Sequence, residues 1–272
     1  MKKIKSKGMT ILLALMLAVT LLPGMANAEP VVEYREYDWQ LYRRWNTNYA
    51  TNYTVITENT TKLVGLPTSE NNWLLGYVGT PEVYVLNRDV TINERITVTG
   101  YVKLILMDGC TLTANAGITA DRGQDSDSLT VFQICAQSQD YDTMGRLIAD
   151  ASGSNAAGIG GSGQNRSSAP IYIFGGRIEA TGGRGAAGIG GAANMNQDST
   201  NDYRRGIGTV YIYGGHVTAT GGAFTAANGA NINGGSGIGG GSKSDDYSVC
   251  ISGGTVIANG AAGTESNHLS IP

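Results

Sequence analysis

Aromatic side chains recur at a fixed interval in the second half of the chain. Tyr172 and Tyr211 are 39 residues apart, and the same interval separates Phe174 from Tyr213. If the segments that carry them stack in register, the rings form one column, and a neighbouring column of basic side chains comprises Arg146, Arg177 and His216. Flat rings stack on the C–H faces of sugars, while guanidinium groups bind carboxylates through paired hydrogen bonds. These residue types at this spacing predict a carbohydrate-binding face that favours acidic sugars.

The aromatic column also has a purely structural interpretation. Stacked aromatic pairs contribute about 0.5–1.5 kcal/mol each beyond the burial of their surface. A row of rings therefore stabilises stacked segments whether or not it contacts a ligand. Both interpretations, binding face and scaffold, remain open at the level of the sequence.

Three copies of a two-strand unit must position these columns. The copies begin at Ile171, Val210 and Val249, and each reads apolar-x-apolar-x-Gly-Gly. A second alternation follows, which ends in Thr-Gly or Asn-Gly. Strict alternation is typical of a strand with one buried face, and a Gly-Gly pair permits a sharp bend. The motif Gly-Ile-Gly-Gly at positions 158, 188 and 237 predicts a short third side. Repeats with long connections stack in parallel, about 4.8 Å apart.

Weaker copies extend the stack toward the N-terminus. They predict an all-β, parallel β-solenoid of about six coils between residues 82 and 263, within a domain that spans residues 81–272. Residues 29–80 are expected to form an N-terminal cap and an irregular segment. Within residues 33–45, the aromatic and leucine side chains fall at helical spacing, which predicts a short amphipathic helix that covers one end of the solenoid.

The first 28 residues have the pattern of a secretory signal peptide. Four lysines precede an apolar run over residues 9–22, and Ala-Asn-Ala at 26–28 supplies a cleavage site. The apolar run is shorter than the roughly 20 residues that a membrane-spanning helix needs. Loss of the four lysines changes the net charge from −3 to −7, which argues against nucleic acid as a partner. We expect a secreted or cell-surface protein without a transmembrane segment in the mature chain.

The three cysteines allow at most one internal disulfide. Cys110 and Cys135 are 25 residues apart, about one coil, so they form either a disulfide between neighbouring coils or two reduced core cysteines. Cys250 occupies a position of the aromatic column, and we expect it to be a free, partly shielded thiol.

A cluster of carboxylates suggests a metal site. Asp121, Asp125 and Asp127 lie in one loop, and oxygen-rich loops bind calcium. The loop lacks the glycine- and aspartate-rich nonapeptide of calcium-dependent solenoids, and acidic loop residues are often simply solvated. Calcium is therefore a candidate cofactor rather than an established one.

The repeat motifs resemble those of a large group of bacterial surface proteins. The segments Leu-Ile-Leu-Met-Asp-Gly-Cys-Thr-Leu (104–112) and Ala-Ala-Gly-Ile-Gly-Gly (156–161 and 186–191) are similar to the Gly-Ile-Gly-Gly repeats of that group. The resemblance implies a right-handed parallel β-helix of the pectate-lyase-like superfamily with a carbohydrate-binding or adhesive role. It covers residues 82–263, and its shared residues are corner glycines and core aliphatics, which say little about activity.

Three functions are consistent with these observations. The first is a non-catalytic module that binds polysaccharide or another cell-surface partner through one face. The second is a structural or adhesive spacer. The third is a polysaccharide lyase or glycoside hydrolase, with a base among Arg146, Arg177 and His216 and an acid among Asp108, Asp150 and Glu179. No motif places such a base and acid within hydrogen-bond reach of a substrate.

Overall fold

The structure is a computed structural model that describes residues 30–38, 44–66, 80–121, 129–163, 168–193, 208–224, 234–242 and 247–261. The predicted signal peptide lies outside these residues. The described residues form 21 strands and no helix, so the all-β prediction is confirmed. No helix in this part of the chain is long and apolar enough to cross a membrane.

Strands are numbered in chain order, and all but the first two belong to three parallel sheets. The first sheet contains β3 (Thr54–Val55), β5 (Glu82–Leu86), β8 (Tyr101–Leu106), β11 (Val131–Ala136), β14 (Ile171–Ile173), β17 (Gly208–Ile212) and β20 (Tyr247–Ile251). The second contains β6 (Val90–Ile92), β9 (Thr111–Ala114), β12 (Arg146–Asp150), β15 (Arg177–Thr181), β18 (His216–Thr220) and β21 (Thr255–Asn259). The third contains β4 (Lys62–Val64), β7 (Ile96–Thr99), β10 (Ile118–Thr119), β13 (Ile159–Gly160), β16 (Ile189–Gly190) and β19 (Ile238–Gly239).

From β5 onward the chain visits the three sheets in turn, and from β4 onward each strand pairs with the strand three positions later, whereas β3 pairs with β5. This is the winding of a β-solenoid. The second and third sheets hold six strands each, in agreement with the expected six coils. The right-handed sense of the winding stays a prediction, although it is the sense that parallel crossovers nearly always take.

The predicted register of the strong repeats is confirmed. Ile173 pairs with Ile212, and Ile212 pairs with Ile251, so the three isoleucines lie on adjoining coils. Ile189 and Ile238 pair in the third sheet, as expected for the short third side. Alternating aliphatic side chains from all three sheets meet in one continuous core, and full burial of each contributes about 1.5–3 kcal/mol.

Glycines shape the corners between sheets. Gly215 ends the bend between the first and second sheets with φ +84°, a conformation that residues with a Cβ rarely adopt. Gly190 in the third sheet has φ +128°, and a Cβ there would overlap the carbonyl of Gly239 in the next coil. Coils therefore stack at backbone distance only because these side chains are missing.

The predicted N-terminal helix is wrong. The described part of residues 33–45 belongs to β1 (Val32–Asp38) and β2 (Arg44–Ala50), an antiparallel hairpin in which Tyr37 pairs with Trp45. Val32, Tyr34 and Glu36 alternate along one face of β1, and aromatic side chains favour strands as readily as helices. The hairpin also lies elsewhere than expected, because it covers the outer side of the first sheet and pairs Arg35 of β1 with Ala136 of β11.

Two further details differ from the expectation. The segment expected to be irregular contains β3 and β4, and Ile56 after β3 and Leu63 within β4 are fully buried in the core, so an additional partial coil precedes β5. The weaker copies also differ in which side chains face inward, since in β11 Phe132 and Ile134 face the core and Val131 faces the hairpin.

Candidate binding groove

The predicted aromatic column is present in the structure. Tyr172 pairs with Tyr211 across β14 and β17, and their rings stack with centroids 4.7 Å apart and an angle of 11° between planes. Phe174 and Tyr213 stack in the next position, 5.4 Å apart. Strand pairing in register is sufficient to align these outward side chains, which is why the 39-residue interval revealed them.

Most of this column is covered by the hairpin. Tyr172 is 3% exposed and Phe174 is fully buried, because both belong to an apolar cluster that joins the first sheet to β1 and β2. Tyr211 and Tyr213 are only partly buried. The column therefore acts as a packing surface at Tyr172 and Phe174 and reaches solvent at Tyr211 and Tyr213.

A charged side chain holds the hairpin against the sheet. Lys103 on β8 is 4% exposed, and its Nζ donates to the Glu36 carboxylate at 2.8 Å and to the Tyr34 hydroxyl at 3.1 Å. Burial by itself lowers the pKa of Lys103, but the neighbouring acidic groups, among them the hydrogen-bonded Glu36 carboxylate, outweigh burial and raise that pKa. The lysine is therefore a buried cation that is stable only while the hairpin supplies its partner.

The hairpin, the end of the aromatic column and the last coil enclose a groove of about 470 Å³, which we call the hairpin groove. It is lined by Arg35, Tyr37, Trp45, Gln139, Tyr213, Gly214, Gly215, His216, Ser252, Gly253, Gly254 and Thr255. Three of its rings form one cluster. Tyr37 stacks on Tyr213 with centroids 5.2 Å apart, and Trp45 meets Tyr37 edge to face at 5.6 Å.

Glycine at the solenoid surface leaves the space that this ring cluster occupies. A Cβ on Gly214 would lie 2.7 Å from the indole Cη2 of Trp45, so only glycine allows the indole to reach the backbone there. Burial raises the pKa of Tyr213 to about 12, which keeps its hydroxyl neutral and able both to donate and to accept a hydrogen bond. One side of the groove is thus aromatic and carries a neutral hydroxyl.

The other lining side chains are polar and include no carboxylate among the residues that the structure describes. Gln139 donates through Nε2 to the Phe174 carbonyl at 3.2 Å. Arg35 donates through Nη1 to the Thr47 hydroxyl at 3.5 Å, and its buried Nε has no hydrogen-bond partner in the described residues. The groove therefore presents amide, hydroxyl and guanidinium groups opposite its rings.

The predicted basic column is also in register, but its members differ in surroundings. Arg146 pairs with Arg177 and Arg177 with His216 along the second sheet. Glu179 forms ion pairs with both arginines, at 2.6 Å from Nη2 of Arg146 and 3.2 Å from Nε of Arg177. The hydrogen bond from Arg146 is the main cause of a lowered pKa at Glu179. Of this column, His216 lines the groove, and it contacts the ring of Tyr141 at 4.5 Å.

The candidate calcium ligands are placed only in part. Asp121 accepts hydrogen bonds from the backbone N–H and the hydroxyl of Ser162. Asp125 and Asp127 lie outside the described residues. Within the described ranges, no group of three or more metal-ligating side chains occurs.

The cysteines proposed as a disulfide pair are not joined. Register places Cys135 beside Ile105 on the outer side of the first sheet, where it is fully buried, whereas Cys110 lies partly exposed in the turn before β9. The 25-residue separation places the two cysteines in neighbouring coils, but one lies in a strand of the first sheet and the other in a turn before the second sheet. Cys250 is free, as predicted, and it is exposed rather than partly shielded.

The groove contains residues that sequence reasoning missed, chiefly Arg35, Tyr37 and Trp45 of the hairpin. A signal for this cover was present in β8 and β11. Both strands are buried on the two faces, and strands of that kind read as near-continuous apolar runs instead of strict alternation. Those runs indicate that something covers the sheet, but they do not indicate which segment does so.

Comparisons with known proteins found no match. No protein-family model matches the chain, and neither does any curated protein or solved structure.

Proposed function

We propose that this protein is a secreted or cell-surface, non-catalytic β-helix module that binds polysaccharide in the hairpin groove. The observation that carries the proposal is the cluster of Tyr37, Trp45 and Tyr213 on one side of a groove whose other lining groups are polar. Rings supply flat apolar surface for the C–H faces of sugars, and hydroxyl, amide and guanidinium groups bond to sugar hydroxyls. This combination suits a carbohydrate better than a purely apolar ligand.

The dimensions of the groove support binding of a short stretch of polymer. Its volume of about 470 Å³ falls within the range of roughly 300–1,000 Å³ that is usual for ligand sites. It lies on the side of the solenoid, bordered by the glycine turns before β18 and β21, so a long chain could pass through it without entering the core.

The surroundings of the candidate bases favour binding over catalysis. Arg146 and Arg177 are both paired with Glu179, and a guanidinium carries hydrogen-bond donors but no acceptor, which suits it poorly to the role of a base. Glycoside hydrolysis usually needs two carboxyl groups across the scissile bond. The described lining of the groove offers none. A lyase or hydrolase is therefore the weaker proposal.

Binding to a glycan array, with and without calcium, tests the proposal. We expect Trp45→Ala and Tyr213→Ala to weaken binding by about tenfold or more, as removal of an aromatic anchor does at other interfaces. Tyr49→Ala is the matched control, because Tyr49 lies on the same hairpin, is 63% exposed and does not line the groove. Unchanged binding by the Trp45 and Tyr213 variants, with melting temperatures near that of the wild type, would rule the groove out.

A structural spacer is the second candidate, and the buried part of the aromatic column favours it. Tyr172 and Phe174 bury their rings under the hairpin, so that part of the column is explained by packing alone. If no glycan binds and the groove variants change stability only, the spacer becomes the better proposal.

A further inference from the structure

We infer that the ligand of the hairpin groove is an acidic glycan, and that Arg35 binds its anionic group. This inference rests on the proposed polysaccharide binding. The expectation based on the sequence was that Arg146 and Arg177 of the repeat column bind the carboxylate of an acidic sugar. The inference assigns that role to Arg35 instead.

The first step concerns the bonding capacity of Arg35. A guanidinium carries five N–H donors and cannot accept a hydrogen bond. In the described residues, Arg35 donates one side-chain hydrogen bond, from Nη1 to the Thr47 hydroxyl at 3.5 Å. Its Nε is buried and has no partner there. Arg35 also lines the groove, so its terminal nitrogens can donate hydrogen bonds to a ligand there.

The second step concerns charge. Glu36 on the hairpin pairs with Lys103, and Glu179 on the second sheet pairs with Arg146 and Arg177. No ion pair joins Arg35 to a carboxylate within the described part of the chain, and no described lining residue is acidic. The groove therefore has a positive side chain without a counter-ion, which favours an anionic ligand.

The third step concerns geometry. Arg35 and the ring pair of Tyr37 and Trp45 come from the same hairpin and line the same groove. Guanidinium groups bind carboxylate and sulfate oxygens through two parallel hydrogen bonds, whereas they bind single hydroxyls less strongly. A sugar ring stacked on the aromatic cluster would present a charged substituent to Arg35 within one binding site.

Three acidic polymers are the probes for the test: polygalacturonate, alginate and hyaluronate, each compared with its carboxyl-reduced form on the same backbone. Dextran sulfate compared with dextran forms a separate arm, which distinguishes sulfate from carboxylate as the anionic group. Affinities are measured by titration calorimetry for the wild type, Arg35→Gln and Arg88→Gln. Arg88→Gln removes the same charge from an exposed pair with Glu58, outside the groove lining.

We expect the wild type to bind at least one acidic polymer about 10- to 100-fold more tightly than its neutral form, as charge-assisted hydrogen bonds do. Arg35→Gln should abolish this preference, because it should weaken binding of the acidic form by that factor and binding of the neutral form by much less, while Arg88→Gln should behave as the wild type. Equal affinity for charged and neutral forms overturns the inference, and so does an equal effect of the two arginine substitutions.

The two proposals fail in different ways. Neutral polymers that bind in a Trp45-dependent manner, without preference for charge, would leave the proposed function intact and remove the acidic ligand. Absence of Trp45-dependent binding to every charged and neutral probe would remove both.

Discussion

The Nζ atom of Lys103 lies 2.8 Å from the carboxylate of Glu36, although the two residues are 67 positions apart in the chain. Lys103 belongs to the solenoid and Glu36 to the hairpin. Tyr34 of the same hairpin also contacts the lysine, with its ring centroid 4.8 Å from the Nζ atom. Because the lysine is almost completely buried, water cannot solvate its charge, and the hairpin must supply the stabilising contacts. This pair therefore links the position of the hairpin to the stability of the solenoid.

The first prediction follows from this pair. Glu36→Ala leaves a buried ammonium without its counter-ion, and loss of one partner of a buried pair costs about 3–5 kcal/mol. We expect a fall in the free energy of unfolding toward that range, measured by urea denaturation with tryptophan fluorescence. Glu58→Ala is the matched control, since it breaks the exposed pair with Arg88, and such pairs contribute about 0–1 kcal/mol. Similar losses from the two variants would contradict a buried role for Lys103.

The second prediction concerns the thiols. Cys135 is fully buried, and burial raises the pKa of its thiol, so little reactive thiolate forms. Cys110 is partly exposed, and burial also raises its pKa, whereas Cys250 is exposed. In a thiol titration of the folded protein, we expect Cys250 to react first and Cys135 to react only on unfolding. Cys250→Ser should remove the fast phase.

The denatured protein provides the decisive count for the same cysteines. All three thiols should titrate in denaturant without a reductant, because the structure shows three free cysteines. A single titratable thiol would instead reveal a disulfide between Cys110 and Cys135.

The third prediction concerns the close stacking of coils. A Cβ on Gly222 would overlap the Gly183 carbonyl of the preceding coil, so Gly222→Ala forces the backbones apart. Overpacking of this kind costs about 1–3 kcal/mol. Gly153→Ala is the control, because no atom lies within 4 Å of a Cβ built there, and its stability should change by less than about 1 kcal/mol. Urea denaturation of both variants measures the difference, and equal stabilities would contradict the stacking.

The fourth prediction concerns acid. The hydrogen bond from Arg146 lowers the pKa of Glu179 below its ordinary value of 4.5, so the folded state binds that proton less readily than the unfolded state. The stabilisation is therefore complete above about pH 4.5 and is lost as the pH falls through the lowered value. Because these side chains are about one-third exposed, we expect a contribution below about 1 kcal/mol.

Comparison with Glu179→Gln measures that contribution. The wild type should be more stable than the variant at pH 6, and the difference should shrink as the pH falls from 4.5 to 3. A difference that stays constant over that interval would show that the carboxylate is not the source of the stability.

Much of the solenoid was predictable from local patterns. The alternation that begins at Ile171, Val210 and Val249 identifies the core-facing side chains, and the constant 39-residue interval gives their register. These features are local or strictly repeated, so a single coil and its copy contain all the information needed. The aromatic and basic columns follow from the same register, which is why the sequence alone predicts them.

The candidate site was predictable only in part. Tyr213 and His216 belong to repeats and were identified, but the hairpin that supplies Arg35, Tyr37 and Trp45 was predicted to be a helix at the end of the solenoid. A short segment rich in tyrosine and tryptophan suits either structure, and its own periodicity does not decide between them. The outcome depends on the outer face of the first sheet, which includes residues as distant in sequence as Tyr172 and Phe174.

By itself, the sequence determined which side chains of the three strong repeats enter the core and which of these coils lie next to each other, because alternation and repetition act between neighbours. Only the tertiary structure decided which outward faces meet solvent. The hairpin lies on the first sheet because Lys103 needs an anionic partner and because Tyr172 and Phe174 present apolar surface to be covered. Those requirements join distant parts of the chain, and no local pattern records them.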